Sequence, residues 1–272
     1  MHGTAGGEFA AHQTYAARRR EGATVSSAEE VLAEEVPVAL VYNGISHAVM
    51  LASPTDLEDF AVGFSLSECI VGRAGEVLDL EILPGPDGIE IQMRLTAERA
   101  EALKRHRRSL AGRTGCGLCG AESLQQVAPR MSRVAPAVAR LDSAAIGRAL
   151  AGLRQRQSLF ELTGAVHAAA WCDAEGRIQL LREDVGRHNA LDKLVGAVAG
   201  QGSSFGAGFV VLTSRASYEM VQKAAAAGIA VVAAVSAPTG MAVRSALDAG
   251  VTLVGFARGE KHCVYTHPER FH

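Results

Sequence analysis

The chain has little of what would point directly to a partner. Its 27 lysines and arginines nearly balance its 29 aspartates and glutamates, so no excess charge favours nucleic acid or an anionic membrane. The longest apolar run, residues 229–235, is far shorter than the roughly 20 residues that span a bilayer. The first residues lack the basic start and apolar stretch of a secretory signal. We therefore expect a cytoplasmic protein with no nucleic-acid or membrane partner.

Cysteine is also scarce, and its number is odd. The 272 residues include five cysteines, and a chain of this length can bury a core that needs no disulfide framework. The thiols are therefore predicted to be reduced. Cys116 and Cys119 stand in the segment Arg-Thr-Gly-Cys-Gly-Leu-Cys-Gly, whose glycines leave the sulfur atoms accessible. Cys69 and Cys172 are instead expected to be small core residues.

Three chemistries are open to the Cys-x-x-Cys pair. It can supply half of a structural zinc site, act as a redox site by thiol–disulfide exchange, or carry a persulfide that the second thiol releases. Basic residues between 104 and 113 would favour the nucleophilic thiolate if they fold close to it. The chain has no second Cys-x-x-Cys to complete a zinc site, and the pair precedes the strand–helix units, unlike a thioredoxin-like site. The pair by itself leaves all three open.

Patterns along the chain predict an α/β protein in two parts. Residues 1–30 lack a sustained apolar period and are predicted to be a disordered lead-in. Residues 31–110 are predicted to form a small α+β domain, and residues 111–125 a flexible loop that carries the cysteine pair. In residues 126–272 strands and helices alternate, and the strands are nearly continuous apolar runs, which indicates a largely parallel sheet covered by helices.

Individual elements follow from turn dipeptides, capping residues and periodicity. Asn43-Gly44 between two apolar runs predicts a tight hairpin. Thr55-Asp-Leu-Glu58 has the form of a capping box and predicts a helix start. The expected strands are 36–42, 45–51, 76–83, 88–95, 166–172, 177–181, 209–213, 229–235 and 251–257, and the expected helices are 55–69, 97–110, 143–156, 188–199, 217–227 and 239–249.

Loops that follow the predicted strands of the last third are suited to an anion. Residues 213–215, 236–239 and 258–261 are rich in hydroxyl, glycine or cationic groups, and ligands of open α/β sheets bind outside the carboxyl ends of the strands. The second loop also opens a helix, whose free N–H groups favour anions. We expect a nucleotide-like ligand here, although serine and threonine also occur in such loops as ordinary caps. The expected binding residues are Ser214, Arg215, Ser236 and Thr239.

A dense charged segment, residues 183–192, opens the helix predicted from residue 188. Asp184 or Asn189 is a candidate helix cap, and His188 a candidate acid, base or hydrogen-bond donor to a ligand. His167 resembles the first ligand of a zinc deaminase, but Ala169 stands where the general acid/base glutamate belongs, and the cysteine pair comes too early in the chain. We therefore expect His167 to be a core or pocket histidine.

Five segments together resemble the formate dehydrogenase accessory sulfurtransferase family, FdhD. They are residues 114–120, 163–169, 183–193, 236–239 and 255–259. The resemblance implies a sulfurtransferase that accepts persulfide sulfur from a cysteine desulfurase and passes it to the molybdenum or tungsten bis-molybdopterin guanine dinucleotide cofactor of formate dehydrogenase. It implies that Cys116 and Cys119 are the catalytic pair. The family's cofactor-binding stretch falls on Phe256, Ala257, Arg258, Gly259, Glu260 and Lys261.

The resemblance also implies a fold and an assembly. The fold is similar to a cytidine-deaminase-like three-layer α/β/α domain without zinc chemistry, joined to a smaller N-terminal α+β domain, and the family forms homodimers. No metal and no permanent cofactor are expected, because the molybdenum cofactor is bound as a substrate. The competing hypothesis is a zinc-stabilised chaperone module that binds the cofactor without transferring sulfur.

Overall fold

The computed structural model describes residues 9–110, 132–134, 140–203, 205–206 and 208–272. Cys116 and Cys119, and with them the loop predicted at 111–125, lie outside the described residues. Strands within the described ranges form a two-stranded, a four-stranded and a six-stranded sheet.

An N-terminal hairpin differs from the disordered lead-in expected for residues 1–30. Strands β1 (His12–Glu21) and β2 (Thr24–Ala33) pair antiparallel over their whole length. An ion pair between Arg19 and Glu30 at 2.6 Å joins the two strands. Most side chains of β1 face solvent, so the strand has no apolar face and shows none of the alternation from which a half-buried strand is predicted.

The four-stranded sheet forms the core of residues 36–95. It contains β3 (Val36–Tyr42), β4 (Ile45–Ala52), β5 (Val77–Gly85) and β6 (Gly88–Leu95) in the order β4-β3-β6-β5. The turn at Asn43 and Gly44, both with positive φ, joins β3 to β4 as predicted. Helix α1 (Leu57–Ser67) packs on this sheet, and α2 (Ala97–Leu110) follows β6.

The helix α1 begins without the predicted capping box. Its N-cap residue is Asp56, which has a left-handed backbone and makes no side-chain capping hydrogen bond. The hydroxyl of Thr55 instead accepts a hydrogen bond of 3.3 Å from Lys193. The side chain of Thr55 therefore makes a tertiary hydrogen bond instead of the capping hydrogen bond that the local pattern predicted.

The six-stranded sheet has the order β12-β11-β10-β9-β7-β8. Only β9, β10 and β11 run parallel, while β7, β8 and β12 pair antiparallel with their neighbours, so the sheet is mixed and not largely parallel as predicted. Its elements are α3 (Ser143–Arg154), α4 (Ser158–Thr163), β7 (His167–Asp173), β8 (Ile178–Asp184), α5 (Arg187–Gly200), β9 (Gly208–Leu212), α6 (Tyr218–Ala226), β10 (Val231–Ala234), α7 (Gly240–Ala249), β11 (Thr252–Arg258) and β12 (Lys261–Val264).

Alternate residues of the strands face two separate cores. On one face, strand residues such as Leu212 and Leu253 pack with helices α5, α6 and α7. On the other, strand residues such as Val211 and Val254 pack with Ile146 and its neighbours on α3. The expected mixed α/β class is confirmed, and this part of the chain has helices on both faces of its sheet.

Helices α1 and α5 join the two larger sheets at very short range. A Cβ atom on Gly63 would overlap the backbone of Asp192, and one on Gly196 would overlap the backbone of Asp59. Glycine is therefore required at both positions, because any side chain would separate the helices. This contact fixes the four-stranded sheet against the six-stranded sheet.

Candidate functional site

The carboxyl ends of the parallel strands carry adjoining loops at one edge of the six-stranded sheet. The backbone N–H of Thr239 donates to the carbonyl of Ala216 at 3.0 Å, and that of Phe256 donates to the carbonyl of Ser236 at 3.2 Å. The loop after β9, the loop after β10 and the last residues of β11 therefore lie side by side. This is the edge where open α/β sheets bind ligands, and it brings together the three strand-end segments that the sequence singled out.

Residues of these loops differ in what they can offer a ligand. Arg215 is exposed, whereas Ser214 is buried and its hydroxyl donates to the carbonyl of Arg215 at 3.0 Å. Thr239 is the N-cap of α7 and accepts from the backbone N–H of Ala242 at 3.2 Å. The hydroxyls of Ser214 and Thr239 thus already have local partners. Thr239 is an ordinary helix cap, which is the alternative to ligand binding that the sequence left open. Ser236 is half-buried, and its carbonyl accepts from the backbone N–H of Phe256 in β11.

The stretch from Phe256 to Lys261 forms the end of β11 and its turn into β12. The side chain of Ala257 is buried in the core against α3, while those of Arg258, Glu260 and Lys261 are exposed and Gly259 turns the chain with φ of 56°. This turn packs closely on α3, where a Cβ atom on Gly147 would lie 2.9 Å from the carbonyl oxygen of Gly259. The chain therefore presents exposed cationic side chains beyond the sheet edge.

Phe256 has an unusual backbone conformation. Its φ is 52°, in the left-handed region, and the β11–β12 register shifts at this point. Its side chain is 46% exposed. A bulky residue in this region costs about 1–3 kcal/mol, and such strain is concentrated at functional sites. The strained backbone and the exposed side chain of Phe256 mark this edge as a candidate binding surface.

His167 and His188 lie at the same edge. His167 begins β7 opposite Asp184, and the next residue, Ala168, donates its N–H to the hydroxyl of Thr213 at 2.8 Å. Burial and then the charge of Arg187 lower the pKa of His167 and of His188 below the usual value. Both imidazoles are therefore neutral near pH 7.

A carboxylate lies beside His188. Oε2 of Glu219 accepts a hydrogen bond from the hydroxyl of Ser217 at 2.9 Å and lies 3.4 Å from Nε2 of His188. Burial opposes ionisation of Glu219, but the Ser217 hydrogen bond and the nearby His188 and Arg187 hold its pKa below the usual value. The site therefore combines an ionised carboxylate with a neutral imidazole, which can donate or accept one proton.

Most of the charged segment 183–192 has a structural role that the sequence did not reveal. Nζ of Lys193 lies 2.7 Å from Oδ2 of Asp184, and both side chains are fully buried. Asp184 also accepts from the backbone N–H of Ser53, and Asn189 donates both to Asp184 and to the carbonyl of Leu51. Asp184 is thus the centre of a clamp between the two sheets, and Arg187 and His188 are the residues of this segment that lie towards the strand-end loops.

A second buried network joins α1, α5 and α6. Nζ of Lys223 donates to Asp192 at 2.9 Å, to Ser67 at 3.0 Å and to Glu68 at 2.7 Å, and it lies 5.1 Å from the centre of the Phe64 ring. Although burial opposes it, the carboxylates of Asp192 and Glu68 hold the pKa of Lys223 above its usual value. No sequence signal marks this network, because its members are far apart along the chain.

The three described cysteines have different surroundings. Cys172 is buried as predicted, and burial raises the pKa of its thiol to about 12. Cys69 was expected in the core, but it is exposed with φ of 56° and lines a cavity of about 360 Å³. It follows the end of α1, where a left-handed residue stops the helix. Ser132, the first described residue after the segment with Cys116 and Cys119, lines the same cavity.

The described ranges contain no cluster of three histidine, cysteine, aspartate or glutamate residues arranged to hold a metal ion. None of the helices found there is both long and apolar enough to cross a membrane.

Comparison with known proteins gives consistent matches along nearly the whole chain. The model of the FdhD/NarQ family matches residues 33–272. A sulfur carrier protein FdhD from Cupriavidus necator is 58% identical over 260 residues, which are 95% of this chain and 90% of the relative. Those from Bordetella petrii and Xanthomonas euvesicatoria are 56% and 50% identical, over 88% and 93% of this chain and 86% and 90% of the relatives.

A solved structure shows the same fold. The crystal structure of a candidate formate dehydrogenase accessory protein from Desulfotalea psychrophila matches with a TM-score of 0.74 and 25% identity, over 97% of this chain and 100% of that chain. The family match covers most of the chain, and the sequence identities extend over both larger sheets. The chain therefore belongs to the FdhD/NarQ family.

Proposed function

We propose that this chain is a sulfurtransferase that carries persulfide sulfur on Cys116 or Cys119 and serves formate dehydrogenase. The observation that carries the proposal is the name shared by relatives at 50–58% identity, which are sulfur carrier proteins FdhD. The glycine-flanked cysteine pair supplies a residue type that can hold sulfur in this way. In the same proposal the donor is a cysteine desulfurase, and the chain acts as a homodimer in the cytoplasm.

The proposed loading step is an exchange that leaves the overall oxidation state unchanged. A thiolate of the pair attacks the outer sulfur of the desulfurase persulfide, the donor's S–S bond breaks as a new one forms, and the donor leaves as a thiolate. In the release step the second thiolate attacks the inner sulfur, and the outer sulfur leaves as sulfide. This step leaves a disulfide between Cys116 and Cys119, which a dithiol reductant must restore before the next cycle.

The proposed acceptor is the molybdenum or tungsten bis-molybdopterin guanine dinucleotide, bound as a substrate at the strand-end loops. Its pyrophosphate groups are anionic, and the exposed Arg215, Arg258 and Lys261 are cations that suit them. The exposed ring of Phe256 offers an apolar face to a flat base. These residues fit such a ligand, and they support the expected role of residues 256–261.

Intact-mass analysis tests the sulfur-carrier half of the proposal. The chain is incubated with a cysteine desulfurase and cysteine, and it should gain about 32 Da for each sulfur atom bound. The double variant Cys116→Ala/Cys119→Ala should not gain this mass. The control variant Cys263→Ala should gain it as the wild type does, because it removes an exposed thiol that has no part in the proposed transfer. Equal gains in the wild type and the double variant would refute the assignment.

Metal analysis on the same samples separates the competing zinc-stabilised module. A stoichiometric zinc ion that is present in the wild type and lost from the double variant would leave no free thiolate for sulfur. That result, together with no gain in mass, would replace sulfur transfer by cofactor binding as the function.

A further inference from the structure

Unpaired polar atoms are buried at the starts of α5 and α6. They are Nε of Arg187, Nε2 of His188 and the phenolic oxygen of Tyr218, none of which makes a hydrogen bond with a described residue. Nε2 of His188 is 3.4 Å from Glu219, but the contact lacks the direction of a hydrogen bond. Nearly all buried polar atoms of folded proteins are paired, so a group of exceptions indicates a missing partner.

Each of these atoms is a hydrogen-bond donor or can become one. The guanidinium of Arg187 and the phenol of Tyr218 donate, and an imidazole donates from Nε2 in one tautomer and when protonated. Tyr218 is only 8% exposed. The missing partner is therefore an acceptor, and an anion would satisfy several donors at once.

The two helix starts add further donors. Arg187 is the first residue of α5, which has 14 residues, and Tyr218 is the first residue of α6, which has nine. Gly186 and Ser217 are the N-cap residues, and neither makes a side-chain capping hydrogen bond. The free N–H groups and the positive ends of both helix dipoles therefore favour an anion.

Charges around the site also favour an anion. Arg187 is close enough to lower the pKa of both His167 and His188, and Lys223 contributes to the shift at His188. Glu219 is the opposing carboxylate, and the hydroxyl of Ser217 and the neighbouring cations already interact with it. An anion that enters beside Arg187 can raise the proton affinity of the imidazoles, which then neutralise more of its charge.

The site adjoins the edge where the proposed cofactor binds. α6 follows the loop after β9, which contains Ser214 and Arg215. His167 is the first residue of β7, and its neighbour Ala168 contacts Thr213 at the start of the same loop. We propose that Arg187, with His188 and Tyr218, binds a diphosphate group of the guanine dinucleotide ligand. This inference rests on the proposed function and adds residues outside the stretch 256–261.

Binding measurements on the full chain test this subsite. Calorimetric titration compares guanosine 5′-diphosphate, inorganic pyrophosphate and guanosine for the wild type and for Arg187→Gln. Loss of one charge-assisted contact should weaken binding of the two diphosphates at least about tenfold and leave the weak binding of guanosine unchanged. Tyr218→Phe removes one hydroxyl that has no partner among the described residues, and it should weaken the diphosphates to a smaller extent. Arg154→Gln, which alters an exposed arginine on α3, should bind all three as the wild type does.

The alternative outcomes are equally distinct. Equal affinities of the wild type and Arg187→Gln for guanosine 5′-diphosphate overturn the inference, and so does a loss confined to inorganic pyrophosphate, which would mark a site for the free anion. If Arg187→Gln fails to fold, a pH titration of wild-type His188 followed by nuclear magnetic resonance replaces the comparison. Addition of guanosine 5′-diphosphate should raise the pKa of His188, and an unchanged pKa refutes the subsite. Persulfide loading is measured separately by mass, so failure of the subsite and failure of the sulfur-carrier role are distinguishable.

Discussion

Substitution of Lys193 by methionine should strongly destabilise the chain. Nζ of Lys193 is 2.7 Å from Asp184, and it also donates to the carbonyl of Ser53 at 3.0 Å. Methionine has a similar volume but no charge, so the carboxylate of Asp184 stays buried without its counter-ion. Removal of one partner from a buried ion pair costs about 3–5 kcal/mol. Asp184 keeps its bonds from Ser53 and Asn189, so we expect the lower part of that range, about 3 kcal/mol.

Urea unfolding followed by circular dichroism measures this loss. The free energy of unfolding extrapolated to water should fall by about 3 kcal/mol, with a lower midpoint and an unchanged slope. Lys104→Met is the matched control, because Lys104 forms an exposed ion pair with Glu101 at 2.9 Å. Exposed pairs contribute roughly 0–1 kcal/mol, so this variant should unfold almost as the wild type does.

A double variant checks the physical cause. Asp184→Asn/Lys193→Met removes the buried charge, while the amide that replaces the carboxylate retains an acceptor oxygen, so this variant should recover part of the stability that Lys193→Met loses. Two results would contradict this account of the clamp. One is a loss of unfolding free energy below about 1 kcal/mol for Lys193→Met. The other is a double variant that is less stable than Lys193→Met alone.

Further predictions concern the helix contact, the histidines and the strained aromatic residue. Gly196→Ala should cost at least about 1–3 kcal/mol in thermal unfolding because its Cβ overlaps the backbone of α1, whereas Gly200→Ala on the same helix has open space and should be neutral or stabilising by up to about 1 kcal/mol. The pKa values of His167 and His188 are lowered in the folded chain, so stability should fall as pH drops below about 6.5, and a variant with glutamine at both positions should show less of this loss in urea unfolding. Phe256→Gly should relieve left-handed strain and stabilise the fold by about 1 kcal/mol or more, while it weakens binding of guanosine 5′-diphosphate; unchanged binding would argue against a contact between the ring and the base.

Local sequence patterns predicted most of the elements of the six-stranded sheet. The alternation of strands and helices after residue 208 is observed as β9, α6, β10, α7 and β11, with ends that differ from the expected ones by a few residues. The pattern missed α4 and the edge strand β12. Both are short, and β12 is partly exposed along its length, so neither carries a periodic apolar face that a local pattern could reveal.

The strand-end loops could be predicted as neighbours and His188 as a ligand contact, but Arg187 and Tyr218 at the helix starts could not. Parallel strands place their carboxyl ends at one edge, and this rule alone brought Ser214, Ser236 and residues 258–261 together. Arg187 and Tyr218 lack such a signal, because a side chain without a partner is defined by what surrounds it in three dimensions. The same holds for Asp184, which pairs with a residue on α5 and contacts the other sheet.

The sequence by itself determined the mixed α/β class, because turn dipeptides, apolar periods and segment order are local properties. It also supplied the glycine-flanked pair Cys116 and Cys119 and the loops that we predict to suit an anion, but the sulfur-carrier role of the pair comes from the family resemblance. The tertiary structure alone decided that β7, β8 and β12 run antiparallel, that Lys193 and Lys223 are buried in ion networks, and that α1 and α5 meet through glycines. These features depend on residues brought together from distant parts of the chain, whose burial and pairing arise only when the two larger sheets pack against each other.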